Sequence, residues 1–587
     1  MRALISLLLV ACATDAPPDS DPGTSMPATP TADTATSTPT PTPTADTGPL
    51  VDSATTGSTG DSAATLPMAP GTYREQVFVH DGEDRAYLLH VPATYDGRPM
   101  PMLVDLHGTA GEVPPPEEAY GLDGAIDTAE AEGFLLLRPR SRSSSYSGLT
   151  IYRWDQNPGD PELNTDFVLD LVEALGDDVA IDLDRLYVMG FSSGTNQTAM
   201  LAQEAGSPFD GFGHVGGGAW WTSTQPIDDV RVYLATPFRD YMRRYHHALV
   251  EQLDAHAHPD SLRLERLSLS GHELYDGMYP ELWAWLDRGE APPEGAGLGA
   301  GWSASDAPPA LAAHPDGDGV WLAGADVLGR FDGTTFQASA IEGSAWFSEP
   351  MELTGVCLTG PVGAAVGNGV VLWTDDGGLT FQRREPVAEP GPPMFGYAHW
   401  NGVGCHQGRV QAVGYWSAGE SSDGVVWDDV ALGSFGYRAQ VVATTPGPSG
   451  NWVSAGYYRF LAVDEVSVPG GSLGSASWML DSAPAGDGIW VAVGDHGTML
   501  RSTDDAGSWS PLSGVLPDDE ELNAVAFRDD GVGLAVGRAG AAWRSDDQGA
   551  TWVPVPLGLH RLLADVAWLA DGSAVVVGPE GSFRYTP

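Results

Sequence analysis

Lysine is absent from this 587-residue chain, so all 28 of its basic side chains are arginines, set against 79 aspartates and glutamates. Genome composition, or selection for an acidic and soluble surface, would produce such a bias. The formal charge of −51 repels phosphate backbones and anionic lipid headgroups, which excludes nucleic acid and an electrostatically held membrane surface as partners. Cysteine is scarce, with three residues. No apolar run is long enough to span a bilayer; the longest near the N-terminus covers Ala3 to Val10. What remains is a chain too long for one ordinary core, which implies several folded units or a large repeat array.

Arg2, the apolar run and the tetrapeptide Leu9-Val10-Ala11-Cys12 resemble a bacterial lipoprotein signal, in which cleavage before the cysteine leaves its sulfur to carry lipid. On that resemblance residues 1–12 are the signal and Cys12 is the lipidation site, so the chain touches a membrane through its anchor alone and faces the periplasm or exterior. Residues 13–70 carry seven aspartates but no aromatic and no basic side chain. Such a segment cannot bury enough apolar surface to offset its chain entropy, and it reads as a disordered Thr/Pro/Asp-rich linker. Its prolines bias it towards polyproline II at about 3.1 Å per residue, a spacer on the order of 100 Å or more.

A first folded unit is expected over 71–290. Two alternating runs, REQVFVH and DRAYLLHVPATY, read as an antiparallel pair, and the buried-strand pattern Met102–Leu106 ends in His107-Gly108-Thr109. Strands then alternate with helices expected near 119–132, 165–175, 195–205, 241–256 and 276–287, with further strands at Phe134–Leu137, Val230–Leu234 and Leu262–Leu269. That alternation predicts a mostly parallel sheet covered on both faces, with ligands beyond the carboxyl ends of its strands. At its centre the run Leu186–Met189 breaks into Gly190-Phe191-Ser192-Ser193-Gly194 and then the helix-permissive TNQTAMLAQEA. This is a nucleophile elbow: a serine on a sharp strand-to-helix turn, with glycines two residues to either side so that the elements pass closely.

The segments PMLVDLHGTAG, GFLLLRPRS, Trp154, Asp166-Phe167, IDLDRLYVMGFSSG and SGHELYDGMYPELWAWL cover about 200 residues and resemble the α/β-hydrolase superfamily. Within it they look most like the secreted esterases grouped with feruloyl and acetylxylan esterases and polyhydroxybutyrate depolymerases. The order Ser, acid, His then implies Ser192 as nucleophile, Asp240 just past the strand RVYL, and His272 in Ser270-Gly271-His272. The family usually has a glycine a few residues before its acid, whereas here the segment is Thr236-Pro237-Phe238-Arg239-Asp240. The N–H groups of Ser193 and Thr109 are the expected oxyanion hole. The ring of His107 is expected to brace its loop. Trp220 and Trp221 either wall a substrate pocket or belong to the core. His246 and His247 are expected to border solvent, and His247 with Glu251 lacks a third ligand for a metal. Acyl transfer of this kind needs no cofactor.

After a short linker at 291–297, residues 298–587 repeat an apolar run ending in glycine, at Gly324, Gly367, Gly414, Gly456, Gly494, Gly537 and Gly578. The spacing, 38 to 47 residues, is that of a four-stranded blade, and seven copies predict an all-β seven-bladed propeller. The turns TDDGGLTF and SDDQGATW match the Asp-box of sialidase-type propellers, while STDDAGSW departs from it. That motif is architectural. No arginine triad for a sialic carboxylate accompanies it. Cys357 and Cys405 occupy near-equivalent places in neighbouring repeats; an exported chain permits a disulfide between them, and spacing leaves bonded and free states open.

Two functions follow as expectations. One is a lipid-anchored serine esterase acting on feruloyl, acetyl or hydroxyalkanoate esters, polymeric ones included, whose propeller docks a glycan or a protein. The other is a surface binding protein whose propeller carries the function beside a vestigial hydrolase unit.

Overall fold

The apolar runs of the first unit assemble into one eight-stranded sheet. The structure is a computed structural model that describes residues 68–110, 122–146, 149–154, 162–204, 206–218, 229–274, 277–342, 351–367, 369–384, 399–415, 417–430, 440–457, 460–463, 466–467, 478–512, 514–517 and 520–587. The proposed signal, Cys12 and nearly all of the linker lie outside the described residues, as do Trp220 and Trp221.

In chain order the first unit comprises β1 (Gly71–His80), β2 (Glu83–Val91), β3 (Met100–Leu106), α1 (Leu122–Glu132), β4 (Leu135–Pro139), a hairpin of β5 (Ser143–Tyr146) and β6 (Leu149–Tyr152), and α2 (Glu162–Leu175). Then come β7 (Ile181–Phe191), α3 (Ser193–Ala202), β8 (Gly211–Val215), β9 (Arg231–Ala235), α4 (Arg243–Ala255), β10 (Arg263–Glu265) and α5 (Met278–Trp283), which runs into a π-turn at Ala284–Arg288. The sheet order is β1-β2-β4-β3-β7-β8-β9-β10, antiparallel from β1 to β4 and parallel from β4 onward. Strand alternation sends Val104, Leu137, Val188 and Phe212 to one face, under Phe167 and Leu171 of α2 and Leu249 of α4. It sends Leu103, Leu136, Met189 and Tyr233 to the other, under Ala129 of α1 and Trp283 of α5. Burial on both faces is why these strands read as continuous apolar runs.

The strand expected over Leu262–Leu269 is cut to three residues, Arg263–Glu265. Residues 266–271 leave the sheet because Leu269, with Leu267 against it, packs instead with Leu311, Leu562 and Ala564 of the second unit. His246 and His247 depart from expectation for the same reason. Rather than bordering solvent, His246 is buried with Nε2 2.9 Å from Glu265, and His247 Nε2 stands 3.0 Å from Glu352 of the second unit.

The second unit is a β-propeller. Six of its sheets are blades of consecutive strands, rather than the seven that the repeats suggested; their innermost strands are Ala312–Asp316, Gly355–Thr359, His399–His406, Val441–Pro446, Met479–Gly486 and Leu522–Phe527. The last repeat supplies only Asp565–Trp568, Ala574–Gly578 and Gly581–Tyr585, and its sheet borrows Trp302–Ala304 from the start of the unit. The ring is therefore tied shut by pairing its two ends. The periodic glycines lie at the end of the second strand of these sheets, Gly414 one residue before it, and a Cβ there would overlap the segment entering the inner strand, as at Gly494 over the Trp478 carbonyl and Gly537 over that of Glu521. A disulfide joins Cys357 to Cys405 across neighbouring inner strands, Cα to Cα 5.6 Å.

The motif turns share one bonding scheme. Asp376 Oδ1 accepts the Thr380 N–H at 3.0 Å, and Asp547 Oδ1 accepts the Thr551 N–H at 2.8 Å. STDDAGSW folds alike, with Asp504 accepting the Ser508 N–H at 2.8 Å, because Ala506 adopts φ 65° where the others have glycine. A fourth turn, at Ser421–Val426, follows a shortened version and was not apparent in the repeats.

Candidate active site

Ser192 stands where β7 meets α3, at φ 53° and ψ −114°, a strained conformation for a residue with a side chain. Its N–H donates to Val215 O at 2.9 Å, and its own carbonyl accepts the Thr195 N–H at 3.0 Å, so the turn is pinned on both sides. A Cβ on Gly190 would overlap the Gly194 backbone, and one on Gly194 would overlap Leu106 O. Strand, turn and helix thus pass as closely as the elbow sequence requires. Ser193 is buried at the first position of α3, where its N–H has no partner within the helix.

The loop after β3 lies against this turn. A Cβ on Gly108 would come within 2.8 Å of the Phe191 ring and 3.3 Å of Ser192 Cβ. Ala110 and Tyr152 of β6 exchange N–H···O bonds at 2.9 Å, and Trp154 Nε1 donates to His107 O at 2.9 Å. Thr109 is held between these two anchors. His107 Nε2 accepts the Ser141 N–H at 3.1 Å, which leaves Nδ1 protonated towards Gly108 O, and burial lowers its pKa to about 4. Its ring is neutral and braces the loop.

His272 and Asp240 meet over the same turn. His272 Nδ1 lies 3.0 Å from both Asp240 carboxylate oxygens, and its ring stacks on Phe191, the residue before Ser192, at 4.9 Å between centroids. The Asp240 side chain is wholly buried and also accepts the Met242 N–H at 2.8 Å. Because the backbone turns directly into α4 here, the acid needs no preceding glycine. The expected serine, imidazole and carboxylate, separated by 48 and 32 residues along the chain, thus share one rim of the sheet.

Tyr241 was not singled out by any motif. Its ring lies 4.6 Å from that of His272, and its hydroxyl is hydrogen-bonded to the Ser192 side chain. Burial first, then the charge of Asp240, pushes this phenol far above its ordinary range, so it stays protonated. Among the described residues no cluster of histidine, cysteine or carboxylate side chains could hold a metal ion.

This chain is 32% identical over 155 residues to the provisionally assigned esterase NocK of Nocardia uniformis subsp. tsuyamanensis. The match takes in 26% of this chain and 43% of NocK, so the chain spans less than half of that relative's length. No family model matches. Among solved structures, the chain is similar to YCF48 from Cyanidioschyzon merolae at 17% identity and TM-score 0.38, over 49% of this chain and 99% of that one. It is also similar to YahD with malic acid at 19% identity and TM-score 0.28, over 34% of this chain and 98% of that one. Over part of its length the chain is therefore a distant relative of an esterase.

Proposed function

We propose that this protein is a serine carboxylic ester hydrolase of the α/β-hydrolase type. The observation that carries the reading is the Asp240–His272 pair, its carboxylate buried and its imidazole stacked over the strained Ser192 turn. A serine hydroxyl is a poor nucleophile until a neighbouring base takes its proton, and a carboxylate on Nδ1 keeps the other imidazole nitrogen free to do so. His272 Nε2 then receives the Ser192 proton as Oγ attacks the ester carbonyl. The N–H groups of Ser193 and Thr109 stabilise the oxyanion, and the protonated His272 returns its proton to the departing alkoxide. Water repeats the sequence on the acyl enzyme and releases the acid.

The substrates that fit the sequence resemblance are feruloyl, acetyl or hydroxyalkanoate esters, with the propeller and its Asp-box turns docking a polymer or a partner. Anchorage through Cys12 belongs to the same reading. The test uses a fluorophosphonate probe and short p-nitrophenyl esters on the full chain. Covalent label at Ser192 and turnover, both lost in Ser192→Ala, are the expected result. Absence of label and of turnover in the unmodified protein would assign the function to the propeller as a binding protein.

A further inference from the structure

The two halves of the candidate site are held by different parts of the molecule. Ser192 and the loop at 107–110 are fixed by the parallel sheet through β7 and β8, by the hairpin strand β6, and by the glycines between them. The segments bearing Asp240 and His272 are not. Past Glu265 the chain to His272 belongs to no strand, and its sheet-side bonds are few: Arg266 N–H to Leu234 O at 2.7 Å, and Phe238 N–H to Ser268 O at 3.0 Å.

The propeller supplies the rest of the support. Leu269 is buried with Leu311, Leu562 and Ala564, and Phe238 of the acid segment joins the same cluster. Gly271 lies so close to the propeller that a Cβ would overlap Trp478 and the Tyr415 hydroxyl. Next to it, the His272 N–H donates to Tyr415 Oη at 2.6 Å. The Tyr415 ring stands edge-on to Tyr241 at 5.2 Å, and His399 approaches Tyr241 at 5.9 Å. On the acid side, Arg239 donates to Leu480 O at 3.3 Å, and Arg243 forms a two-pronged pair with Glu352 at 3.1 Å.

We propose that the propeller positions the base of the hydrolytic site: Tyr415, accepting the His272 N–H, and Trp478, packed on Gly271, set where the imidazole stands relative to Ser192. This rests on the serine-esterase reading. Tyr415 and Trp478 are positioning residues that touch no reacting atom. Sub-ångström misplacement of a base slows proton transfer without altering how substrate is bound, so the effect falls on kcat. Removing the acceptor leaves a buried N–H unpaired and frees the segment to shift.

The experiment compares the full-length protein with Tyr415→Phe and Trp478→Phe, and with Gln382→Ala, which lies far from the site on an outer propeller strand. Read for each are kcat and KM on a p-nitrophenyl ester, the rate of fluorophosphonate labelling at Ser192, and the melting temperature. Tyr415→Phe is expected to lower kcat and the labelling rate by about 10- to 100-fold with KM within about twofold. Gln382→Ala is expected to match the unmodified protein. Wild-type kcat and labelling in both Tyr415→Phe and Trp478→Phe overturn the proposal while leaving the esterase reading intact. An unmodified protein that neither labels nor turns over overturns the esterase reading itself. Should Tyr415→Phe fail to fold, Trp478→Phe, which keeps an aromatic ring there, decides on the same readouts.

Discussion

The inner wall of the propeller holds two carboxylic acids whose protonation is set by burial. Asp481 and Asp565 line a cavity of about 330 Å³ at the centre of the ring, into which Arg239 reaches from the segment bearing Asp240. Asp565 accepts N–H bonds from Ala313 and Val566, each at 2.7 Å, yet burial first and Asp481 second raise its pKa to about 7. Asp481, which accepts the Val525 N–H at 3.0 Å, is raised by burial to about 6. Both values lie above the unfolded value of about 3.9, so between these limits the folded state binds more protons than the unfolded one. Stability from these groups is therefore full below about pH 4 and declines as pH rises to about 7. Asp565→Asn removes one such group, and its melting temperature should fall less than that of the unmodified protein between pH 4 and 7. Equal slopes in the two proteins would show that Asp565 is ionised throughout. Residues of this kind were not legible in the sequence, since nothing in ADVAW marks one aspartate for burial beside another. Ser192, Asp240 and His272 could be singled out as candidates, because each follows closely on a recognisable apolar run. Tyr415 could not, being 143 residues away from the histidine whose backbone it holds.

At the scale of elements, the strands covered on both faces announced themselves, and so did the repeating glycines, which follow from close backbone crossings. What sequence periodicity could not show is which apolar residues face a neighbouring unit. Leu267 and Leu269 alternate as strand residues do, but the surface they cover belongs to the propeller, and the strand stops at Glu265. Likewise the last repeat looks like six others, yet its fourth strand comes from Trp302–Ala304, some 260 residues earlier. The disulfide is the other long-range tie within the ring, closing a separation of 48 residues between adjacent inner strands. In the chain-entropy description a loop of that length is worth about 4 kcal/mol. Cys357→Ser with Cys405→Ser is expected to lower the free energy of unfolding read from urea titration by that amount, moving the midpoint to lower urea, and reductant should do the same to the unmodified protein. A midpoint indifferent to both would mean that the inner strands are held by sheet pairing and the closing strand alone.

For the whole molecule the question is whether the first unit and the propeller stand or fall together. Residues 65–587 form one compact unit, and the contact between its parts is built around buried charge. Arg243 pairs with Glu352 through two bonds and with Glu265 through a third, while His246 and His247 approach the same two carboxylates. Both glutamates are held ionised: against burial, hydrogen bonds from His247 and Arg243 and the Arg243 charge bring Glu352 down to about 2, and His246 and Arg243 lower Glu265 likewise. A buried pair of this type contributes little net stability over an apolar contact, but removing one member strands the other, at a cost of about 3–5 kcal/mol. Glu352→Ala should therefore act on the joint between the units more than on either core. Calorimetry of the unmodified protein is expected to show one transition, with the proposed ester turnover lost at the same temperature. In Glu352→Ala the first unit, its joint to the propeller weakened at Arg243, should release first, with the proposed activity gone before the propeller melts. If the variant keeps the single transition at its original temperature, the charges at this boundary are dispensable, and the apolar cluster around Leu269 and Leu562 holds the two units together.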